Sequence, residues 1–288
     1  MDKMHCKAIV LLAVLLNTSL SFAEGPAAGE NIVPFPQTMA ISVFGISNME
    51  IFLEEWSQYK ADKPWTMGVG FRYKNLAAQA AIPLPFNTGA FDLAVNFYLE
   101  KMYFETFVKH YQKFYPDDVE TIGNEDIGLD IMSAGIMASR VYNHKNHSFR
   151  SVYSLSQKQT ASSGSFLYGL GVFYSSLHSQ NGFIPRYAER QHVVYFGPTA
   201  GYSYTWVYDH DLYLNLDLNL GANLGIDINE TKLLFIPQAY PRITFGHHNS
   251  AWSLNSVVGA NASMFLWDGG NLETILPVTI CITFSKRF

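Results

Sequence analysis

Gly246-His247-His248-Asn249-Ser250-Ala251 places two imidazoles, a carboxamide and a hydroxyl side by side. Those are the groups of a serine hydrolase: a nucleophile, a base, and a residue that orients the base. Outer-membrane lipid hydrolases carry such a set on the barrel wall, with His and Ser on one face of a strand. Here the order is His-Asn-Ser, and it falls where a hairpin turn is needed. Asn, Ser and Gly form turns in their own right. Catalysis by His247, His248 and Ser250 is therefore the weaker alternative, and a turn is the main reading.

Charged and carboxamide side chains recur at alternate positions: Arg72, Lys74, Asp92, Asn96, Glu105, Lys109, Arg150, Asn215, Asp217, Asn219, Asn223 and Arg242. On one side of a sheet they would line a lumen, either as a selective pore or ligand site or as a self-compensating network. The network is favoured, because buried charges must pair and a narrow barrel has little spare width. Neither sign dominates, so no ion selectivity follows. Asp117, Asp118, Glu120, Glu125 and Asp126 crowd one loop, but their spacing lacks the pattern of a calcium loop. His144 and His147 flank a short turn, and two histidines alone make a poor metal site. No phosphate loop, dinucleotide fingerprint, CxxC pair or G-x-S-x-G elbow is present, and no cofactor or metal is implied.

The elements that must hold these residues are strands. From Leu212 to Leu224 every even position is apolar (Leu212, Leu214, Leu216, Leu218, Leu220, Ala222, Leu224) and the odd ones are Tyr213, Asn215, Asp217, Asn219, Gly221 and Asn223. A period of two sends successive side chains to opposite faces. The same alternation runs through Met67–Lys74, Phe91–Leu99, Ser165–Ser175, Phe196–Trp206, Trp252–Leu266 and Val278–Ser285. The second face is mostly Gly, Ser, Thr and Asn, as in a crowded lumen. Tyr202, Tyr204, Trp206, Tyr208, Trp252 and Trp267 gather at strand ends, as interfacial girdles do.

Short turns at Lys74-Asn75, Glu100-Lys101, Asn143–Asn146, Asp209–Asp211 and His247–Ser250 join alternating runs. Ser57–Lys63, Pro116–Asp126, Lys158–Ser163, His178–Gln191 and Asp227–Lys232 read as longer loops. The runs number about 13, whereas a single-chain barrel takes an even number. Parity read from the two ends conflicts between Phe149 and His192. Either one segment there is not a wall strand or Met39–Glu54 contains a bend.

Lys3 and Lys7, the apolar run Ala8–Leu16 and Ser21-Phe22-Ala23 make a signal peptide cut after Ala23. The run is shorter than the roughly 20 residues of a membrane anchor. Cys6 leaves with it, so Cys281 is the one cysteine retained and an intrachain disulfide is excluded. A net charge of −5 argues against nucleic acid. Aromatic content of 15% with mean hydropathy of only +0.03 suits a barrel, in which half of each strand is polar. The final strand ends Ile280-x-Ile282-x-Phe284-x-Lys286-x-Phe288. A terminal Phe after alternation resembles the signal read by the barrel assembly machinery, with Phe284 and Phe288 as its residues. Lys286 departs from the usual aromatic or aliphatic residue.

The stretch from Gly68 to the C-terminus resembles a Bacteroidetes family of outer-membrane proteins known only as a domain of unknown function (number 4421). The resemblance rests on several blocks in order: Gly68–Lys74 with Ile82–Phe86, Phe91–Tyr98, Ser148–Thr160, Ser162–Gly169, Gly201–Thr205 and Leu214–Leu224. It implies a barrel in a two-membrane envelope and supplies no catalytic or ligand residues.

The expectation is an all-β, up-and-down antiparallel transmembrane barrel of about 12 strands, with 10 to 14 as the range. Residues 1–23 form the signal peptide, 24–38 an N-terminal extension and 39–288 the barrel. Its place is the outer membrane of a Gram-negative bacterium, with outer-membrane lipid and the assembly machinery as partners. The expected role is a narrow passive channel or an envelope-structural barrel. A barrel-wall lipid hydrolase and a soluble periplasmic β-protein are the alternatives.

Overall fold

The computed structural model describes residues 31–288, apart from 55–56, 62–64, 85–89, 117–125, 185–186, 209–210 and 267–271. The expected signal peptide, Trp267 and all of the acidic loop except Asp126 lie outside the described residues. The chain forms β1 (Ile32–Pro34), β2 (Met39–Glu54), β3 (Ser57–Ala61), β4 (Trp65–Tyr73), β5 (Leu76–Leu84), β6 (Phe91–Tyr98) and β7 (Met102–Gln112). It continues through β8 (Phe114–Pro116), β9 (Leu129–Val141), β10 (Gln157–Gln159), β11 (Ser163–Ser179), β12 (Gln191–Tyr208) and β13 (Leu212–Asp227). The last four strands are β14 (Lys232–His248), β15 (Trp252–Ala260), β16 (Ala262–Leu266) and β17 (Leu272–Arg287).

Neighbours in sequence pair antiparallel around a ring, and β17 closes it on β2, from Glu273↔Glu54 to Arg287↔Ala40. The result is a closed, up-and-down antiparallel barrel of 12 strands. β15 and β16 share one position in the wall, interrupted at Asn261. β2 is met by β4 over one half and by β3 over the other. β3 also pairs with β8, Tyr59 opposite Pro116, so β3 and β8 lie side by side beyond the short β5–β6 hairpin. The left-handed backbone of Lys113, φ 59°, separates β7 from β8.

The parity conflict resolves at residues 142–162. β9 and β11 are direct neighbours, Met137 opposite Gly171, so everything between them is one connection. Asn143–Asn146 and Lys158–Ser163 are not a turn and a separate loop but the two ends of that connection. Its middle, Arg150–Ser154, is a π-helical turn. It starts and finishes at the end of the barrel where β2 begins and β17 ends, the terminal end, alongside Lys74-Asn75, Leu99–Lys101 and Asn249–Ala251.

The even face of β13 points away from the barrel: Leu218, Leu220 and Leu224 are 41, 52 and 61% exposed. Asn215, Asp217, Asn219 and Asn223 on the odd face are buried. Val69, Leu170, Phe196, Ile243 and Ile282 extend the exposed apolar belt around the wall. An apolar belt of this extent is what lipid covers. Inside, Phe52, Tyr111, Ile131, Phe173, Tyr195, Ile236 and Phe265 form a core in the half away from the termini. Tyr98, Tyr103, Met137, Phe149 and Leu167 form another in the terminal half.

Leu218 sits midway along its strand, where a charge faces the middle of the hydrocarbon. Leu218→Arg is expected to cost about 2–4 kcal/mol in urea unfolding of vesicle-folded protein, and Ile228→Arg at the rim under about 1 kcal/mol. Equal costs at the two positions would contradict a lipid-facing belt.

Candidate functional site

The connection 142–162 alternates nothing. Instead it concentrates serines around Phe149, Val152, Tyr153 and Leu155. It leaves the wall through Asn143, whose backbone N–H donates to Ser165 Oγ (2.9 Å) and whose side chain donates to the Gly164 carbonyl (2.9 Å). His147 is fully buried, with Nδ1 3.1 Å from the Ser163 carbonyl. Burial is the main influence on this imidazole and lowers its pKa to about 4. It is therefore neutral at pH 7, and Nδ1 carries the donated proton. The Ser148 hydroxyl donates to Gln157 (2.7 Å) and receives the Ser151 N–H (3.2 Å). Leu155, left-handed at φ 55°, ends the π-helical turn. β10 then pairs with β1 of the N-terminal segment.

This connection turns into the lumen and fills its terminal half. Phe149 stacks on Tyr103 with ring centroids 4.4 Å apart. Tyr153 lies beneath the Arg242 guanidinium at 4.3 Å, and its hydroxyl is 3.3 Å from both Asn215 Oδ1 and Asp217 Oδ2. Arg242 donates to Asp217 from Nε (2.9 Å) and Nη2 (2.6 Å), and to Glu105 from Nη1 (2.9 Å). Register brings the first pair together, since Asp217 is directly opposite Arg242. Glu105 reaches it across the lumen from β7, and the Tyr98 hydroxyl donates to that carboxylate (3.3 Å). A largely enclosed cation fixed by two carboxylates and capped by an aromatic face is a pinned element.

A second arginine holds the other margin of the plug. Arg287 donates to the Leu155 carbonyl (3.1 Å), to those of Asn249 (2.6 Å) and Trp252 (2.8 Å), and to Ser253 Oγ. Its guanidinium lies 3.8 Å over the Phe35 ring. It thus joins the last strand, the plug, the N-terminal segment and the β14–β15 turn. The sequence reading did not name it, although its odd parity matches inward Thr283 and Ser285.

The remaining expected lumen residues fall as follows. Arg72 is buried and faces the N-terminal segment, with Nη2 3.5 Å from the Gln37 carbonyl. Asp92 accepts from the Tyr111 hydroxyl at 3.0 Å. Asn96 accepts the Thr106 N–H (3.1 Å). Lys109 borders a cavity of about 20 Å³ with Ser133, Ser175, Tyr195 and Ser263, room for one water. Asn215 donates to Ser203 (3.0 Å) and Thr205 (2.9 Å), Asn219 to Asp217 (3.1 Å), and Asn223 to Gln238 (2.9 Å). Two placements differ from expectation. Lys74 is exposed in the β4–β5 turn at φ 52° and lies over the Tyr73 ring, because the strand ends one residue earlier. Arg150 enters the lumen from the plug, not the wall, and donates to Ser156 (3.2 Å).

The pleat separates the His/Ser set. His247 faces out and stacks on Trp252 at 4.9 Å, whereas His248 faces in and stacks on Tyr213 at 4.6 Å. The His248 imidazole meets Ser253 Oγ at 3.0 Å, and Ser250 is exposed in the turn. Phe284 and Phe288 face outward, and the Phe288 N–H donates to the Met39 carbonyl (3.0 Å). Among the described residues no group of three His, Cys, Asp or Glu is placed to hold a metal.

Residues 30–264 match a family model described as a domain of unknown function, DUF4421. No curated protein matches the chain. Solved structures similar to it include OmpT, an outer membrane protein of Vibrio cholerae, with 8% identity, 89% of this chain and 99% of that chain covered, and TM-score 0.34. An outer membrane channel from Pseudomonas putida F1 follows at 10% identity, 92% and 100% coverage, and TM-score 0.38. The transport unit of the autotransporter AIDA-I from Escherichia coli has 13% identity, 97% of each chain covered, and TM-score 0.32.

Arg242→Met strands two carboxylates beside Tyr153 and is expected to lower stability by about 3–5 kcal/mol in urea unfolding. Tyr153→Phe removes one hydroxyl and is expected to cost about 1 kcal/mol. Adding Asp217→Asn to Arg242→Met should recover part of the loss; strict additivity of the two would mean that the pair is uncoupled.

Proposed function

The chain belongs to the family described as a domain of unknown function (DUF4421), which brings no activity with it, and we propose that this member is an outer-membrane barrel whose resting lumen is sealed. The observation that carries this reading is the Arg242–Asp217–Glu105 network clamped on Tyr153 of the plug. It sits midway along β13 and β14, with the apolar core filling the lumen beyond it. The terminal end, with its tight turns, is the periplasmic one, and the exposed leucine face of β13 lies in lipid. The role is then structural in the envelope, without catalysis.

A second reading is a gated channel, and one observation favours it. The plug is a single connection, and the wall behind it carries Asn215, Asn219, Asn223 and Arg72, the polar lining of a conduit. The hydrolase reading is weakened because His247 and His248 face opposite sides of the wall, Ser250 is exposed in the turn, and the Ser253 that His248 meets is fully buried and engaged by Arg287.

Planar-bilayer recording of the refolded full chain decides between them. The sealed barrel is expected to be silent, and to stay silent when residues 150–156 are replaced by a Gly-Ser linker, because the core beyond the plug still fills the lumen. Stepwise conductance by that replacement would favour the gated reading. Steady conductance by the unaltered protein would overturn the sealed reading. Openings that appear only under applied voltage or pH change would favour the gated one.

A further inference from the structure

At the loop end of the barrel, opposite the termini, the outward face of the wall changes character. Leu129 and Ile131 lie in the interior core, so Asp130 between them points out. Tyr111 points in, which turns His110 and Gln112 outward. Leu177 points in, which turns Ser176 and His178 outward. Register sets Gln112, Asp130 and His178 directly abreast on β7, β9 and β11. Beneath them the same faces are apolar, with Val108, Ile136 and Val172. On β13 and β14 the outward face stays apolar to that end, through Ile226, Leu233 and Phe235.

Arg190, just before β12, covers this group. Its Nη1 is 3.4 Å from both Asp130 Oδ1 and Ser176 Oγ, and its Nη2 is 3.4 Å from His178 Nδ1. The Asp130 carboxylate also meets His110 Nε2 at 3.3 Å and the Gln112 amide at 3.2 Å. Asn229 fixes the Arg190 backbone by donating to its carbonyl at 3.0 Å. The Arg190 side chain is 39% exposed and its contacts are long. One carboxylate therefore orients a guanidinium, an imidazole and an amide, with a hydroxyl and a second imidazole beside them.

We propose that this outward cluster binds the phosphate of an outer-leaflet lipid headgroup. The guanidinium is a fixed donor fork, and the amide, the hydroxyl and the imidazoles each have an N–H or O–H to offer, which suits a tetrahedral oxyanion. A hard divalent cation would need several anionic or carbonyl oxygens, and the one carboxylate of the cluster, Asp130, is already engaged by His110, Gln112 and Arg190. Position selects the lipid over a free anion: the cluster lies on the outer wall just above the apolar belt, at the level where acyl chains give way to headgroups. Tyr174, one outward position below Ser176 on β11 and hydrogen-bonded to His192 of β12 at 2.7 Å, marks that level.

The test uses the full chain in phosphatidylcholine nanodiscs doped with phosphatidic acid or with diacylglycerol of the same chains, and counts retained lipid by native mass spectrometry. Retention of phosphatidic acid is expected to exceed that of diacylglycerol about tenfold, the size of one charge-assisted contact. Arg190→Gln and Gln112→Ala are each expected to reduce that preference in protein that still shows heat-modifiable migration. Lys145→Gln, which removes an exposed charge at the other end, is expected to leave it intact. Equal retention of the two lipids, or an equal loss in Lys145→Gln, overturns the proposal. Loss of phosphatidic acid to equimolar inorganic phosphate would reassign the cluster to a free oxyanion and overturn it as a lipid site.

Discussion

Closure of β17 on β2 is the contact on which the rest of the molecule depends. In hydrocarbon an unpaired backbone N–H or carbonyl has no water to turn to, so a sheet can sit there only without edges. The ladder from Glu273↔Glu54 to Arg287↔Ala40 removes the two edges that an open sheet would have. Once the ring is closed, inside and outside are fixed for every strand by the pleat. Leucines on β13 are then committed to lipid and its carboxamides to the interior. No local propensity makes that assignment; the ring does.

Closure also creates an interior that must be filled. Wall side chains, joined by Ile184 and Tyr187 of the β11–β12 connection, fill the half away from the termini, where aromatic and branched residues meet across the axis. In the terminal half the wall presents carboxamides, hydroxyls and the Asp217–Arg242 pair, and these need partners. The connection 142–162 supplies them with hydroxyls, aromatic faces and backbone carbonyls. The buried arginine is tolerable because each of its donor faces has an acceptor and its flat side has a ring. Polarity of the wall and folding of the plug are two sides of one requirement.

Strict alternation made the wall legible in the sequence. Asn215, Asp217, Asn219, Asn223 and Arg242 could be placed inside because β13 is regular along its whole length. Alternation is silent about connections, so the plug was hidden, and Arg150 was assigned to a wall strand that does not exist. Lys74 was lost because a hairpin ends a strand one residue before its pattern ends. Arg287 was readable by parity but overshadowed by Lys286 and Phe288 on the outer face. The Asp130 cluster was out of reach for a different reason. Period two relates residues within a strand, whereas Gln112, Asp130 and His178 are brought abreast by cross-strand register, which the alternation does not encode.

Arg287 is the penultimate residue, and it grips Leu155 of the plug, Phe35 of the leading segment and the turn carbonyls of Asn249 and Trp252 at once. The turn carbonyls come within reach once β17 pairs with β15, whereas Phe35, just ahead of β2, comes within reach only when β17 has also joined β2. Sealing is thereby tied to closure of the ring: a barrel that has zipped every hairpin but not joined β17 to β2 still has a loose stopper. The side chain acts as a keystone set last, whose fit reports that everything before it is in place.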